Sequence, residues 1–165
     1  MTFLILWCII YTERKKEVDT MMKIYFDMDG TFVNFYGVPN WLEYLRASDT
    51  TPYAVAAPLF NMSQFARLLN RLRADGYYIG IVSWTSKTGS AEFNEATRLA
   101  KLGWIAKHLP SVIWDEIKIV PYGTPKHTVV RYPEGILFDD EAPNRHNWTG
   151  IAYDVENIVG ILKSL

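Results

Sequence analysis

A chain of 165 residues with 49% hydrophobic and 21% charged side chains can bury a substantial core and has the composition of one ordinary folded domain, which argues against a disordered protein. Its formal net charge of -1 supplies no global field for nucleic acid or an anionic membrane, so no extended nucleic-acid surface is expected. The single cysteine, Cys8, rules out an internal disulfide and a cysteine zinc site, and fits a reducing, cytoplasmic setting.

The chain opens on MTFLILWCIIY, an apolar run of about eleven residues, followed by the charged stretch ERKKE. A spanning helix needs about 20 apolar residues, so no transmembrane span is expected. A basic start and a small-residue cleavage site are both missing from this stretch, so it does not read as a secretory signal. Residues 1–20 therefore read as a dispensable extension, either disordered or surface-docked, with a membrane-associating segment or an early start codon as alternatives. The folded domain is expected over residues 21–165, from Met21 and Met22 onward.

MKIYF, residues 22–26, is a short β-rich run suited to a strand buried on both faces. It runs into Asp27-Met28-Asp29-Gly30-Thr31. Asp-Gly between apolar residues is a hairpin signal, and two carboxylates at the end of a buried strand are also a nucleophile and an acid. Residues 32–60 are aromatic-rich, with a short helix around Trp41 to Arg46. NMSQFARLLNRLRADG predicts a helix with Phe65, Leu68, Leu69 and Leu72 on one face, capped by Asn61 or Ser63 and ended at Gly76. YYIGIVS is a second buried strand. SAEFNEATRLAKLGWIAKHLP predicts a long helix with Phe93, Leu99 and Leu102 among its apolar positions, stopped by Pro110. IKIV, GILF and GIAY are further strands, and VENIVGILKSL closes the chain as an amphipathic helix.

Strands alternating with helices specify an α/β domain with a mainly parallel sheet, and such sheets bind ligands at the carboxyl ends of their strands. The residues there form a chemically coherent set. The first strand ends in Asp27 and Asp29, the second in Ser83 followed by Trp84, and the fourth in Asp139 and Asp140; Lys126 lies in the Gly-Pro loop after the third. Carboxylates gathered this closely repel one another unless a cation joins them. Hard oxygen ligands with room for water and phosphate favour Mg²⁺, so the parts suggest metal-assisted phosphoryl transfer. Lys118 is the rival lysine, but it falls inside the strand IKIV.

D-x-D-G-T after a strand, a serine after the second strand, a downstream lysine and Asp-Asp after a later strand resemble, in order, the four motifs of the haloacid dehalogenase (HAD) superfamily. The resemblance implies a three-layer Rossmann-like domain with a small cap inserted after the first strand, at about residues 35–60. It implies Asp27 as nucleophile, Asp29 as general acid and base, Ser83 and the Trp84 amide as phosphate ligands, and Lys126 as the balancing cation. The Mg²⁺ ligands it implies are Asp27, the Asp29 carbonyl and Asp139, with Asp140 orienting metal-bound water. Haloalkanoate dehalogenases do not use the second aspartate, so Asp29 favours a phosphatase.

VSWTS and the WIAKHLP stretch further resemble small 5'(3')-deoxyribonucleotidases, which implies a small-molecule phosphomonoester, a nucleotide, as partner. Phe35, Tyr36, Trp41 and Tyr44 are the cap aromatics that could stack on a base, or pack the cap itself. A phosphatase of polynucleotide ends or sugar phosphates, and a non-catalytic binding module of the same fold, are the alternatives. An intact general acid at Asp29 argues against the binding module.

Overall fold

The computed structural model describes residues 21–165, and the expected N-terminal extension lies outside them. The first strand, β1, is Lys23–Phe26. Between it and the first long helix lie β2 (Val33–Asn34), α1 (Trp41–Arg46), α2 (Thr51–Val55) and β3 (Ala57–Pro58). There follow α3 (Met62–Ala74), β4 (Tyr78–Trp84), α4 (Ala91–His108) and β5 (Glu116–Val120). The chain ends with β6 (Ile136–Phe138), α5 (Ala142–Asn147), β7 (Ala152–Tyr153) and α6 (Ile158–Ser164).

The main sheet runs β5-β4-β1-β6-β7, and each neighbouring pair is parallel. From β1 the chain crosses to β4, whereas from β6 it crosses the opposite way, to β7. The strand order therefore reverses between β1 and β6, which is where α/β sheets open a ligand crevice at their carboxyl ends. Register aligns this point: Phe26 sits opposite Phe138, and the Asp27 amide donates to the Phe138 carbonyl at 2.9 Å.

Alternation along β1 feeds two cores. Ile24 and Phe26 join Phe65, Leu69 and Leu72 of α3, Trp104 and Ile105 of α4, and Ile158 and Leu162 of α6. Tyr25 faces the other way, into a smaller cluster with Val82, Val130, Leu137 and Trp148. Gly80 in mid-strand is explained there, because a Cβ would collide with the Tyr25 ring. The layering expected from sequence is thus asymmetric. The three longest helices cover one face, and the 121–135 connection with Trp148 covers the other. No helix among the described residues is long and apolar enough to cross a membrane.

Of the two cap candidates for the first long helix, Asn61 takes the role, accepting from the Gln64 amide at the start of α3. Ser90, not singled out in the sequence, accepts from the Phe93 amide at the start of α4 in the same way. The hairpin reading of Asp29-Gly30 fails, since β1 pairs with β4 and β6, while β2 pairs antiparallel with β3. Instead, the Thr31, Phe32 and Val33 amides all turn back onto the Met28 carbonyl. Gly30 supports this turn with φ +77°, and a Cβ on it would strike the Asp140 carboxylate.

Candidate active site

Asp27, the first residue past β1, is nearly enclosed, and its Oδ1 accepts from Lys126 Nζ at 2.7 Å. The same ammonium reaches Asp139 Oδ2 at 2.6 Å. Lys126 opens a single 3-10 turn, Lys126–Thr128, in the connection from β5 to β6, and that turn carries its ammonium under the crevice. Lys118 is excluded from this position. Its side chain is 43% exposed on β5, 3.6 Å from Glu116 Oε1.

The acidic pair after β6 divides its work. Asp139 is fully enclosed; its Oδ1 accepts from the Glu141 amide at 2.9 Å, and Asn144 Nδ2 spans both of its oxygens at 3.2 Å. Asp140 faces the crevice, and no side chain among the described residues donates to it. Arg145 fixes the backbone beneath both, donating to the Asp139 and Asp140 carbonyls at 2.8 Å each. Asp27, Asp139 and Asp140 offer oxygens that lie within 4.8 Å of one another.

The electrostatics follow from this crowding. Burial, then Asp27, pushes the Asp139 carboxyl up to about 6 against the pull of Lys126. Burial, then Asp27 and Asp139, pushes Asp140 up to about 7. Burial works against the Lys126 ammonium, but Asp27 and Asp139 together hold it above the usual lysine range. Three carboxyls share one ammonium, and a hard divalent cation fits what is missing. The three carboxyls could hold a metal ion, and Gly30 leaves Asp140 the room it needs.

Asp29 has different company. Lys101 of α4, 1% exposed, donates to Asp29 Oδ2 at 2.6 Å, to Ser83 Oγ at 3.0 Å and to the Trp84 carbonyl at 2.7 Å. Burial raises the Asp29 carboxyl, with Lys101 opposing and Asp27 adding to the rise. Lys101 is a buried residue of the site that the sequence reading missed. A signal was present, since Phe93, Thr97, Lys101 and Ile105 fall at four-residue spacing on the buried face of α4. Leu99, one of the apolar positions noted along this helix, lies off that face and is 54% exposed.

A cavity of about 330 Å³ opens over these groups. Asp27, Asp29, Ser83, Trp84, Lys126 and Asp140 line its floor, and Phe35, Tyr36, Trp41, Tyr53 and Tyr122 its walls, with Arg46 and Lys87 also contributing. Ser83 is where the sequence placed it, at the carboxyl end of β4 and nearly enclosed. The Trp84 indole donates to the Thr124 carbonyl at 2.8 Å, and Lys126 Nζ sits 5.0 Å from its ring centre. Of the cap aromatics, Phe35 is buried and stacks on Tyr53 with centroids 4.6 Å apart, so it packs the insertion. Tyr36, half exposed, and Trp41 meet edge to face beside the opening. Tyr44 lies on α1 but is not part of the cavity wall. None of the three histidines lines the cavity; His108 instead stacks on Trp104.

Chemically, the floor presents a carboxylate held by an ammonium, a second carboxyl two residues on, a hydroxyl, and an acidic set short of positive charge. Such a floor suits attack on an anionic, electrophilic centre drawn in with a cation. No protein-family model matches the chain, and no curated protein matches it either.

Proposed function

We propose that the protein is a Mg²⁺-dependent phosphomonoester hydrolase of the haloacid dehalogenase type, with a nucleoside monophosphate as substrate, that is, a 5'(3')-nucleotidase. The observation that carries the reading is the convergence of Asp27, Asp29, Ser83, Lys126 and Asp140 on one cavity at the reversal of strand order. A binding module would have no use for a second carboxyl held two residues beyond the first.

In the proposed reaction an Asp27 oxygen attacks phosphorus, and the phosphorus–ester oxygen bond breaks. The departing oxygen keeps the electron pair and takes the Asp29 proton. Water then attacks the aspartyl-phosphate, giving a proton back to Asp29 as the Asp27–phosphorus bond breaks and phosphate leaves. Lys126 balances the charge on Asp27, and the Ser83 hydroxyl donates to a phosphoryl oxygen. Asp27, Asp140 and the Asp29 carbonyl are the groups proposed to hold Mg²⁺, which supplies charge neutralisation to the carboxylates and phosphoryl oxygens. Asp139, which resemblance alone would make the direct ligand, already accepts from Lys126, Asn144 and the Glu141 amide, so Asp140 takes that part. Tyr36 and Trp41 offer the flat apolar surface that a nucleobase needs.

The test is phosphate release by purified protein with Mg²⁺ over deoxy- and ribonucleoside monophosphates, sugar phosphates and an aryl phosphate. Preference for nucleotides, lost in Asp27→Asn, is the expected result. Activity confined to sugar phosphates keeps the chemistry and discards the substrate. Silence across the panel discards the enzyme.

A further inference from the structure

Lys101 poses a problem that the reaction above leaves unsolved. Removing an ammonium from water is costly, and the cost is recovered only when every proton finds an acceptor in good geometry. Lys101 meets that condition with three acceptors from three parts of the chain: Asp29 Oδ2, Ser83 Oγ and the Trp84 carbonyl. No proton is left over for a ligand, and the residue does not line the cavity. It is therefore not a phosphate-binding cation.

What it does follows from the direction of its bonds. An ammonium only donates, so Ser83 Oγ is the acceptor in their contact. The Ser83 hydrogen is thereby released from Lys101 and free to point into the cavity, where an anion would receive it. Asp29, tied through Oδ2, keeps its other oxygen for the cavity. The stem is fixed as well: Lys101 Nζ lies 5.2 Å from the centre of the Tyr53 ring, and one turn along α4 Trp104 donates from its indole to the Ala56 carbonyl at 2.7 Å. Both contacts join α4 to the inserted segment over the cavity.

We infer that Lys101 is a positioning residue, which sets the orientation of the Asp29 carboxyl and the donor direction of the Ser83 hydroxyl at the same time. This rests on the phosphatase reading. Through Asp29 it governs how well the leaving oxygen is met by a proton. Through Ser83 it governs how the phosphoryl group is held.

A comparison of esters tests it. A nitrophenolate leaves without a proton, whereas an alkoxide needs one. Lys101→Met, which keeps length and loses the charge, should lower kcat/KM, which reports the step that expels the ester oxygen, about 100-fold on an alkyl phosphate. On 4-nitrophenyl phosphate the loss in kcat/KM should be several-fold at most. In an Asp29→Asn background the same change should add little to the loss on the alkyl ester, because both act through one group. Lys101→Arg should restore less than half of the lost kcat/KM, since a planar fork cannot reach three acceptors arranged around an ammonium. Lys101→Gln is assayed alongside, so that a Lys101→Met chain that fails to fold leaves the comparison in place. Equal losses on both esters, additive with Asp29→Asn, would make Lys101 a core residue and overturn the inference. A wild-type protein silent on both esters is a separate result, since it removes the phosphatase reading before any variant is compared.

Discussion

Asp27 and Asp29 stand two residues apart, and each holds a buried lysine supplied by a distant element. The two neighbourhoods nevertheless differ in charge. Around Asp27, three carboxyls crowd a single ammonium, and among the described residues no side chain donates to Asp140. Around Asp29, one carboxyl meets one ammonium whose other protons go to neutral oxygens. The first is an open set that improves when a cation enters. The second is closed, and gains nothing from one. On the proposed reading this difference assigns the work: the open set receives metal and phosphate, and the closed set holds a proton carrier in place.

Breaking the open set at its nucleophile should have the largest effect. Asp27→Asn keeps the shape and most hydrogen bonds but cannot form the acyl phosphate, so Mg²⁺-dependent hydrolysis should fall by about 10⁴-fold or more. Asp29→Asn should cost about 10²- to 10⁴-fold on an alkyl ester. If the order were reversed, the two residues would have to exchange roles. Next in size is Asp140→Asn, which should weaken Mg²⁺ or Mn²⁺ binding about 10- to 100-fold by titration calorimetry. The same substitution removes a repelled carboxyl, so without divalent cation it should raise Tm at pH 7.5. Unchanged metal affinity would return the ligand role to Asp139.

What the sequence could show of these two neighbourhoods differs for a physical reason. Asp27 and Asp139 each follow a buried strand and Ser83 lies at the carboxyl end of another, and a parallel sheet brings strand ends together whatever lies between them. Lys126 sits in a Gly-Pro loop, where a cation has no structural excuse. Lys101 has no such marking, because a lysine inside an amphipathic helix reads as the edge of its solvated face. Its partners are 72 and 18 residues away, and only the packing of α4 on the sheet reveals them. In the inserted segment, α1 spans six residues and α2 five, too short for periodicity to say which face Tyr44 or Tyr53 would take. α2 and α5 were not expected, and each opens on a proline at its first or second position.

A smaller effect should appear in stability against pH. Asp139 and Asp140 hold their protons up to about 6 and about 7, above the value near 4 of an unfolded chain. Folding is therefore favoured below about pH 4 by these groups, and the favour is lost as pH rises through 6 and 7. Without divalent cation, Tm should fall by a few degrees between pH 5 and pH 7.5 on their account. Excess Mg²⁺ should flatten that slope, since a bound cation stabilises the charged forms. A Tm that climbs over this range without metal, in wild type and in Asp140→Asn alike, would mean that the carboxyls are not in conflict.

The smallest effect is expected at Lys118, and it sharpens the comparison because spacing alone made this lysine a rival to Lys126. Lys118 projects from β5 with a 43% exposed side chain, and its partner Glu116 is 3.6 Å away. An ion pair of that kind is worth about 0–1 kcal/mol, and neither of its residues lines the cavity. Lys126, by contrast, is 4% exposed and is the one cation among the described residues that pairs with both Asp27 and Asp139. Lys118→Met should therefore leave hydrolysis within about twofold and Tm within the range of an ordinary surface change. Lys126→Met should remove activity and leave Asp27 and Asp139 in conflict. If both variants lost activity alike, charge near β5 rather than contact with Asp27 would be the controlling quantity, and the open set would have been drawn too narrowly.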